Sequence, residues 1–331
     1  MPQRKAQLQQ WLRDTCGIRD FSFVPASGDA SFRRYFRVGL ADGTSLIAMD
    51  APPDKEDCRP FVDVTGRLAA TGVHVPQIVH QDLQQGFLLL EDLGDDLYLG
   101  ELDETSVDRL YGEAIAALVR FQEHGDVTGL PAYDRELLAA EMALFPEWLL
   151  GQHLGLALDN AERRMLGECF ELLIGNALAQ PRVLVHRDYH SRNLLYCAPH
   201  NPGIIDYQDA VHGPLSYDLV SLLRDCYIRW PGQRVDAWLQ DYARAAAAAG
   251  LIDQAQQVLL PQWFDLMGVQ RHLKAAGIFA RLKHRDGKPG YLGDIPRTLG
   301  YIIEVAQRRP EIGPLAQFIA QRVLPAVRVV V

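Results

Sequence analysis

His186-Arg187-Asp188-Tyr189-His190-Ser191-Arg192-Asn193 and, further on, Gly203-Ile204-Ile205-Asp206-Tyr207 interrupt an otherwise helical half of this 331-residue chain. Asp188 precedes Asn193 by five residues and Asp206 by eighteen. The runs RVLVH, NLLY and GIID around them read as short strands. Asp188 therefore sits in a loop leaving the strand at 182–186, while Asp206 ends an apolar strand that holds it rigidly. A loop carboxylate suits the orientation and deprotonation of an attacking hydroxyl. Asn193 and Asp206 offer hard oxygens of the kind that hold Mg²⁺ against phosphates. Two bland readings compete with this one. The carboxylates would cap turns, or His186, His190 and Asp188 would bind zinc by residue type. Against zinc, the spacing matches no familiar ligand set and no further His or Cys cluster supports it.

Working outward, the first hundred residues favour strands at Ser31–Val38, Ser45–Asp50 and Gly86–Asp92. Between them Lys55–Gly72 carries Phe61, Val64 and Leu68 at helical spacing, with Gly72 as a stop. From about 104, Val107, Leu110, Tyr111, Ala114, Leu118 and Phe121 form an amphipathic helix, and helical patterns follow at 134–150, 161–179, 215–229, 233–249, 261–280 and 295–308. The expected organisation is α+β: a small β-rich lobe over 1–95, a connector near 91–100, and a larger helical lobe over 96–331 with a small inserted sheet. The length, at roughly 150 residues per domain, agrees with two lobes.

Charge narrows the partners. Lys and Arg number 33 against 42 Asp and Glu, a net charge of −9. That argues against a general binder of nucleic acid or of anionic membranes, both of which need surplus positive charge. With 48% hydrophobic and 23% charged residues, disordered and fibrous classes are excluded. No run approaches the ~18 apolar residues of a membrane span. The N-terminal MPQRKAQLQQWLRD lacks the apolar core of a signal peptide. Five scattered cysteines without a C-x-x-C pair read as reduced thiols. The expected location is the cytoplasm.

H-R-D-x-x-x-x-N followed by an apolar strand ending in Asp is the protein-kinase-like signature. More specifically, His186-x-Asp188-x-His190-x-x-Asn193, Ile205-Asp206-Tyr207-Gln208-Asp209 and Gly213-Pro214-x-x-Tyr217-Asp218-Leu219 resemble the aminoglycoside phosphotransferase and choline-kinase-like family. The resemblance runs through nearly the whole chain. It implies the bilobal protein-kinase-like fold, with ATP and Mg²⁺ as cofactors. Asp188 would be the base and Asn193 and Asp206 the metal ligands. His186, His190 and Asp218 would brace the catalytic loop. Gly28-Asp29-Ala30-Ser31-x-Arg33-Arg34-Tyr35, Met49-Asp50-Ala51-Pro52-Pro53, Glu91-Asp92-Leu93-Gly94 and Gln270-Arg271-His272-Leu273-Lys274 look closest to a small-sugar branch, the anomeric amino-sugar kinases of bacterial cell-wall recycling. That branch implies ATP-dependent phosphorylation of the C1 hydroxyl of N-acetylmuramate and N-acetylglucosamine. The expected partners are then ATP and a small amino sugar.

On the nucleotide side, the small residues Ser27, Gly28, Ala30 and Ser31 would let backbone N–H groups approach phosphate oxygens. Arg33 and Arg34 alternate along a strand, so at most one faces the phosphates, and a solvated strand face is the alternative. Glu91 and Leu93 would offer main-chain groups to adenine. One departure stands out: Met49 occupies the place where kinases carry a phosphate-holding lysine. Arg33, Arg34 or Lys55 would replace it, or the chain is a non-catalytic pseudokinase. The joint presence of Asp188, Asn193 and Asp206 favours activity. On the acceptor side, Arg271, His272 and Lys274 would meet a sugar carboxylate, with a solvated helix face as the alternative. Asp209 and His212 would hydrogen-bond sugar hydroxyls. A kinase for aminoglycoside, choline or homoserine remains the competing reading. A polycationic acceptor would want an acid-lined pocket, a sugar acid a cationic one.

Overall fold

The computed structural model describes residues 2–28 and 32–330. Two compact units emerge: Met1–Leu97 with Asn193–Asp209, and Tyr98–Arg192 with Ala210–Val331.

The first unit is built on a five-stranded antiparallel sheet of β1 (Phe21–Gly28), β2 (Arg34–Leu40), β3 (Ser45–Asp50), β4 (Ile78–Asp82) and β5 (Phe87–Glu91), in the order β1-β2-β3-β5-β4. Alternation along the strands sends Phe36, Val38, Ala48, Phe87 and Leu89 into one core, which helix α1 (Pro2–Asp14) closes with Leu8, Trp11 and Leu12. Met49, Leu88 and Leu90, of opposite parity, are buried as well. Burial on both faces is why β5 reads as an unbroken apolar run instead of an alternating one. Gly86, at φ +70°, turns the chain into β5, and a Cβ there would lie 1.9 Å from the Ala51 carbonyl oxygen. Helix α2 (Arg59–Ala70) buries Phe61, Val64 and Leu68, at the spacing the sequence predicts. The sequence reading does not include α1, β1 and β4. In α1 only three apolar side chains lie on the buried stripe, and β4 is a largely exposed strand at the sheet edge.

The second unit is helical, with α3 (Tyr98–Glu101), α4 (Val107–His124), α5 (Arg135–Leu144), α6 (Asn160–Leu178), α7 (Tyr217–Leu223), α8 (Gly232–Ala248), α9 (Gln254–Asp286) and α10 (Ile295–Arg308). Strand β6 (Arg182–Val185) pairs antiparallel with β9 (Val211–Pro214); between them in sequence, β7 (Leu194–Leu195) and β8 (Gly203–Ile204) belong to the first unit. By sequence, Asn193–Asp209 would belong to the second lobe. It joins the first because Leu195 bridges Leu97, Gly203 bridges His74, and the Ile204 N–H donates to the His74 carbonyl at 2.8 Å.

Helix α9, 33 residues long, is the axis of the second unit. Asp253 and Gln256 form a reciprocal capping box at its start, and Gly287 ends it in the left-handed conformation at φ +66°. Its middle is buried nearly all round. Gly277 permits close passage of α5, since a Cβ there would come within 2.4 Å of the Leu144 carbonyl carbon. Among the described residues, no helix is long and apolar enough to cross a membrane.

Candidate active site

The candidate catalytic loop, 186–193, leaves β6 in a strained conformation. Arg187 has φ +77°, a region that L-residues other than Gly, Asn and Asp rarely adopt. Asp218, fully buried at the start of α7, holds it there: its carboxylate accepts the N–H groups of His186 at 2.6 Å and Arg187 at 2.9 Å. Burial pushes Asp218 up to about 7 in spite of these two hydrogen bonds. His186 accepts the Asp188 N–H on Nδ1 at 3.2 Å. His190 is wedged edge-on against Tyr227 with ring centres 5.2 Å apart, and its N–H donates to the Asp188 carbonyl at 3.0 Å. Ser191 donates both its N–H and its hydroxyl to Asp225, at 2.9 and 2.5 Å. Of the three loop-bracing candidates, Asp218 and His186 meet the loop backbone with their side chains, whereas His190 meets it only through its own main-chain N–H, its ring packing on Tyr227.

Around this loop lies a buried ionic cluster. Glu141 of α5 takes the Arg187 guanidinium and the Tyr133 hydroxyl in short contacts, and Lys274 of α9 at 3.0 Å. Lys274 also donates to the Tyr217 hydroxyl at 2.9 Å. Burial acts to raise the pKa of Glu141, but Lys274 and Arg187 outweigh it and hold it below the usual range. Asp188 behaves alike. Burial works against its charge, yet Lys274 first, then His190, Arg271 and Arg187, keep it ionised with a pKa of about 2. In an acidic chain, this candidate base sits among cations.

Three acceptor-side expectations change here. The α9 face is not solvated: Gln270, Arg271, His272 and Lys274 are all buried. Lys274 is engaged by Glu141 and Tyr217 and has no position from which to hold a sugar. His272 is fully buried, stacked on Tyr301 at 4.7 Å, with its Nε2 against the Arg224 carbonyl at 2.9 Å. Burial drives its pKa down to about 3, so it is a neutral packing residue and not a sugar contact. Arg271 rests its guanidinium 3.5 Å from the Cys226 sulfur, and its buried Nε has no hydrogen-bond partner among the described residues. It acts on Asp188 through its charge. His212 lies half-buried in β9, its main chain tied to Pro131 and Tyr133. Asp209, which accepts the Gln208 amide at 3.2 Å, belongs to the first unit.

In that first unit, Asn193 and Asp206 come together, the Asn193 amide donating to the Asp206 carboxylate at 3.2 Å. Asp206 has φ +65°, a second strained non-glycine residue. Its successor Tyr207 is anchored on α2 by the Thr65 hydroxyl at 2.9 Å and by Phe61, ring centres 5.2 Å apart. The Gln208 amide donates to Asp206 at 3.0 Å, and the Arg33 guanidinium lies 3.9 Å from it. Mg²⁺ takes oxygen ligands, commonly one or two carboxylates with phosphates and water completing the shell. An amide oxygen and a carboxylate side by side fit that requirement. Among the described residues no three His, Cys, Asp or Glu side chains are grouped to hold a metal ion.

The two arginines separate as alternation requires. Arg34 pairs with the fully buried Asp50, which also takes Arg4 at 2.6 Å, so Arg34 is a structural residue and not a phosphate ligand. Arg33 faces Asp206. Lys55 is exposed beside Asp54, and Met49 is sealed in the core. Ser27 and Gly28 close β1 opposite Tyr35 and Arg34; Ala30 and Ser31 lie outside the described residues. The Glu91 N–H is committed to the Gln77 carbonyl at 2.9 Å, which leaves that donor unavailable to adenine. The Leu93 carbonyl accepts the Cys197 thiol at 3.3 Å.

The phosphotransferase enzyme family matches residues 22–257, well over half of the chain. The chain belongs to that family. Within this family, an N-acetylmuramate/N-acetylglucosamine kinase of Pseudomonas putida is 49% identical over 334 residues, spanning 97% of this chain and 98% of that protein. One of the same name from Pseudomonas aeruginosa is 51% identical over 336 residues, covering 96% of each. Among solved structures, a choline kinase from Streptococcus pneumoniae superposes with a TM-score of 0.64 at 12% identity, covering 93% of this chain and 100% of that one. At that identity the likeness concerns the fold, and it bears out the kinase-like α+β class.

For a phosphotransferase, the functional neighbours that sequence reasoning missed are Glu141, Tyr133 and Asp225. Glu141 carried a signal: it stands on the apolar stripe of α5 with Leu138 and Met142, where a lone carboxylate needs a buried cation. Asp225 follows α7 in a wholly buried run and carries no local pattern at all.

Proposed function

We propose that this phosphotransferase transfers the γ-phosphoryl group of ATP to the anomeric C1 hydroxyl of N-acetylmuramate and N-acetylglucosamine, in the cytoplasmic recycling of peptidoglycan. The observation that carries this reading is the cationic setting of Asp188, made by Lys274, Arg271 and Arg187. It suits an anionic or neutral sugar and opposes polycationic aminoglycosides and choline. Relatives about half identical to this chain are named for the same acceptors.

Asp188 accepts the hydrogen bond of the C1 hydroxyl and aims its oxygen at the γ-phosphorus. The new O–P bond forms as the bond to the ADP oxygen breaks, and the hydroxyl proton passes to Asp188. A carboxylate with a pKa of about 2 is a weak base. That suffices where the transition state is loose and the proton leaves late, and where a hemiacetal hydroxyl is more acidic than an ordinary alcohol. Asn193 and Asp206 would hold Mg²⁺, whose charge would offset the negative charge of the phosphates during transfer. Arg33 supplies the phosphate-facing cation that Met49 does not.

The test is ADP release from Mg-ATP with N-acetylmuramate, N-acetylglucosamine, kanamycin or choline. Turnover on the amino sugars, blocked in their 1-O-methyl glycosides and reduced by about three orders of magnitude or more in Asp188→Asn with nucleotide affinity retained, is the expected result. Turnover on kanamycin or choline instead overturns the acceptor. Absence of turnover on every acceptor returns the weight to a pseudokinase.

A further inference from the structure

We propose that Arg192, laid against an aromatic wall of Tyr227 and Tyr291, receives the lactyl carboxylate of N-acetylmuramate and so sets the preference between the acidic and the neutral amino sugar. This inference rests on the acceptor class proposed above.

Arg192 closes the catalytic loop four residues after Asp188, and it is exposed. Its guanidinium carbon lies 4.6 Å from the centre of the Tyr227 ring and 5.4 Å from that of Tyr291. Tyr291 in turn stacks on Phe279 of α9, with ring centres 5.7 Å apart and planes 16° from parallel. Tyr227 packs edge-on against His190, whose N–H is bonded to the Asp188 carbonyl. The wall is therefore tied to the base through two contacts within one unit.

The other cations of this cluster are already engaged or withdrawn. Arg187 and Lys274 share Glu141, and Arg271 is buried against Cys226. Arg192 differs: among the described residues, its guanidinium has no hydrogen bond or ion pair, only the two ring contacts. An arginine stacked on aromatic faces keeps its charge and its planar orientation, while the N–H groups along its edge stay directed outward. That edge matches a carboxylate, which takes two parallel hydrogen bonds from it. N-acetylglucosamine has a plain hydroxyl at the position where N-acetylmuramate carries its lactyl ether, so the two acceptors differ in the group that Arg192 is built to read.

The experiment is steady-state kinetics at saturating Mg-ATP on N-acetylmuramate, its carboxyl methyl ester and N-acetylglucosamine. Wild type is compared with Arg192→Gln and Arg192→Lys. In Arg192→Gln the ratio of kcat/KM for N-acetylmuramate over N-acetylglucosamine should fall tenfold or more, through KM for the acid, with Arg192→Lys between. Methyl esterification should cost wild type a similar factor and cost Arg192→Gln little beyond the substitution. The ester comparison on wild type needs no variant to fold. A ratio within twofold of wild type in Arg192→Gln, or an ester as good as the acid for wild type, overturns the assignment of Arg192 alone. Failure of wild type to phosphorylate either sugar removes the acceptor class and this inference with it.

Discussion

Arg33 and Arg34 are adjacent, equally charged and differently paired. The half-turn between successive residues of an extended segment sends Arg34 to the buried Asp50 and Arg33 to Asp206. Alanine at the two positions should therefore fail in different ways. Arg33→Ala is expected to raise KM for Mg-ATP about tenfold or more with the thermal midpoint nearly unchanged. Arg34→Ala should lower the midpoint, because it weakens the pairing of a fully buried carboxylate. Parallel kinetics and melting curves decide it. An unchanged KM for ATP in Arg33→Ala would leave the missing lysine at Met49 without a substitute.

At the scale of elements, the catalytic loop is held from two directions. Asp218 at the head of α7 fixes the backbone of His186 and Arg187, and Glu141 of α5 clamps the Arg187 side chain against Lys274 of α9. Removing the carboxylate would take an ionic partner from the buried Lys274 and the half-buried Arg187. Glu141→Ala should cost about 3–5 kcal/mol. The exposed Arg135–Glu171 pair, by contrast, contributes about 0–1 kcal/mol. Urea denaturation of the two variants, Glu141→Ala and Glu171→Ala, measures the difference. Equal midpoints would show that the cluster is not a brace. The 215–229 helix of the sequence reading is shorter in the fold, ending at Leu223, because Arg224 and Asp225 leave helical geometry to reach Asp265 and Ser191.

For the whole molecule, stability carries the signature of Asp218. Its folded pKa of about 7 lies above its ordinary 3.8, so the folded state holds the proton more tightly. The resulting stabilisation is complete below about pH 4 and is lost as pH rises through 7, amounting to at most about 4 kcal/mol. Asp188, held at about 2, has the opposite sign: its contribution is present above about pH 4 and is lost as pH falls toward 2. The maximum should fall at mildly acidic pH. The thermal midpoint should drop between pH 5.5 and 8.5 in wild type, and much less in Asp218→Asn, in which position 218 no longer titrates. The same drop in the variant would assign the effect elsewhere.

The pattern that marks the candidate site was legible because it is written in residues close together in the chain. Asp188, Asn193 and Asp206 need their spacing and a flanking strand, and both are local. The helices from 107 onward were legible for the same reason, since a 3.6-residue apolar period needs no knowledge of what it packs against. Tertiary structure alone decided which charges are spent. Gln270-Arg271-His272-Leu273-Lys274 looks like a cationic face in sequence, yet this stretch of α9 is buried all round, so its charges must find partners inside. Lys274 finds Glu141, 133 residues earlier in the chain, and His272 loses its charge to burial. Arg192 showed nothing in sequence, because its meaning lies in Tyr227 and Tyr291, which only folding brings to its side. Period and spacing are properties of neighbours along the chain; desolvation and pairing depend on neighbours in space.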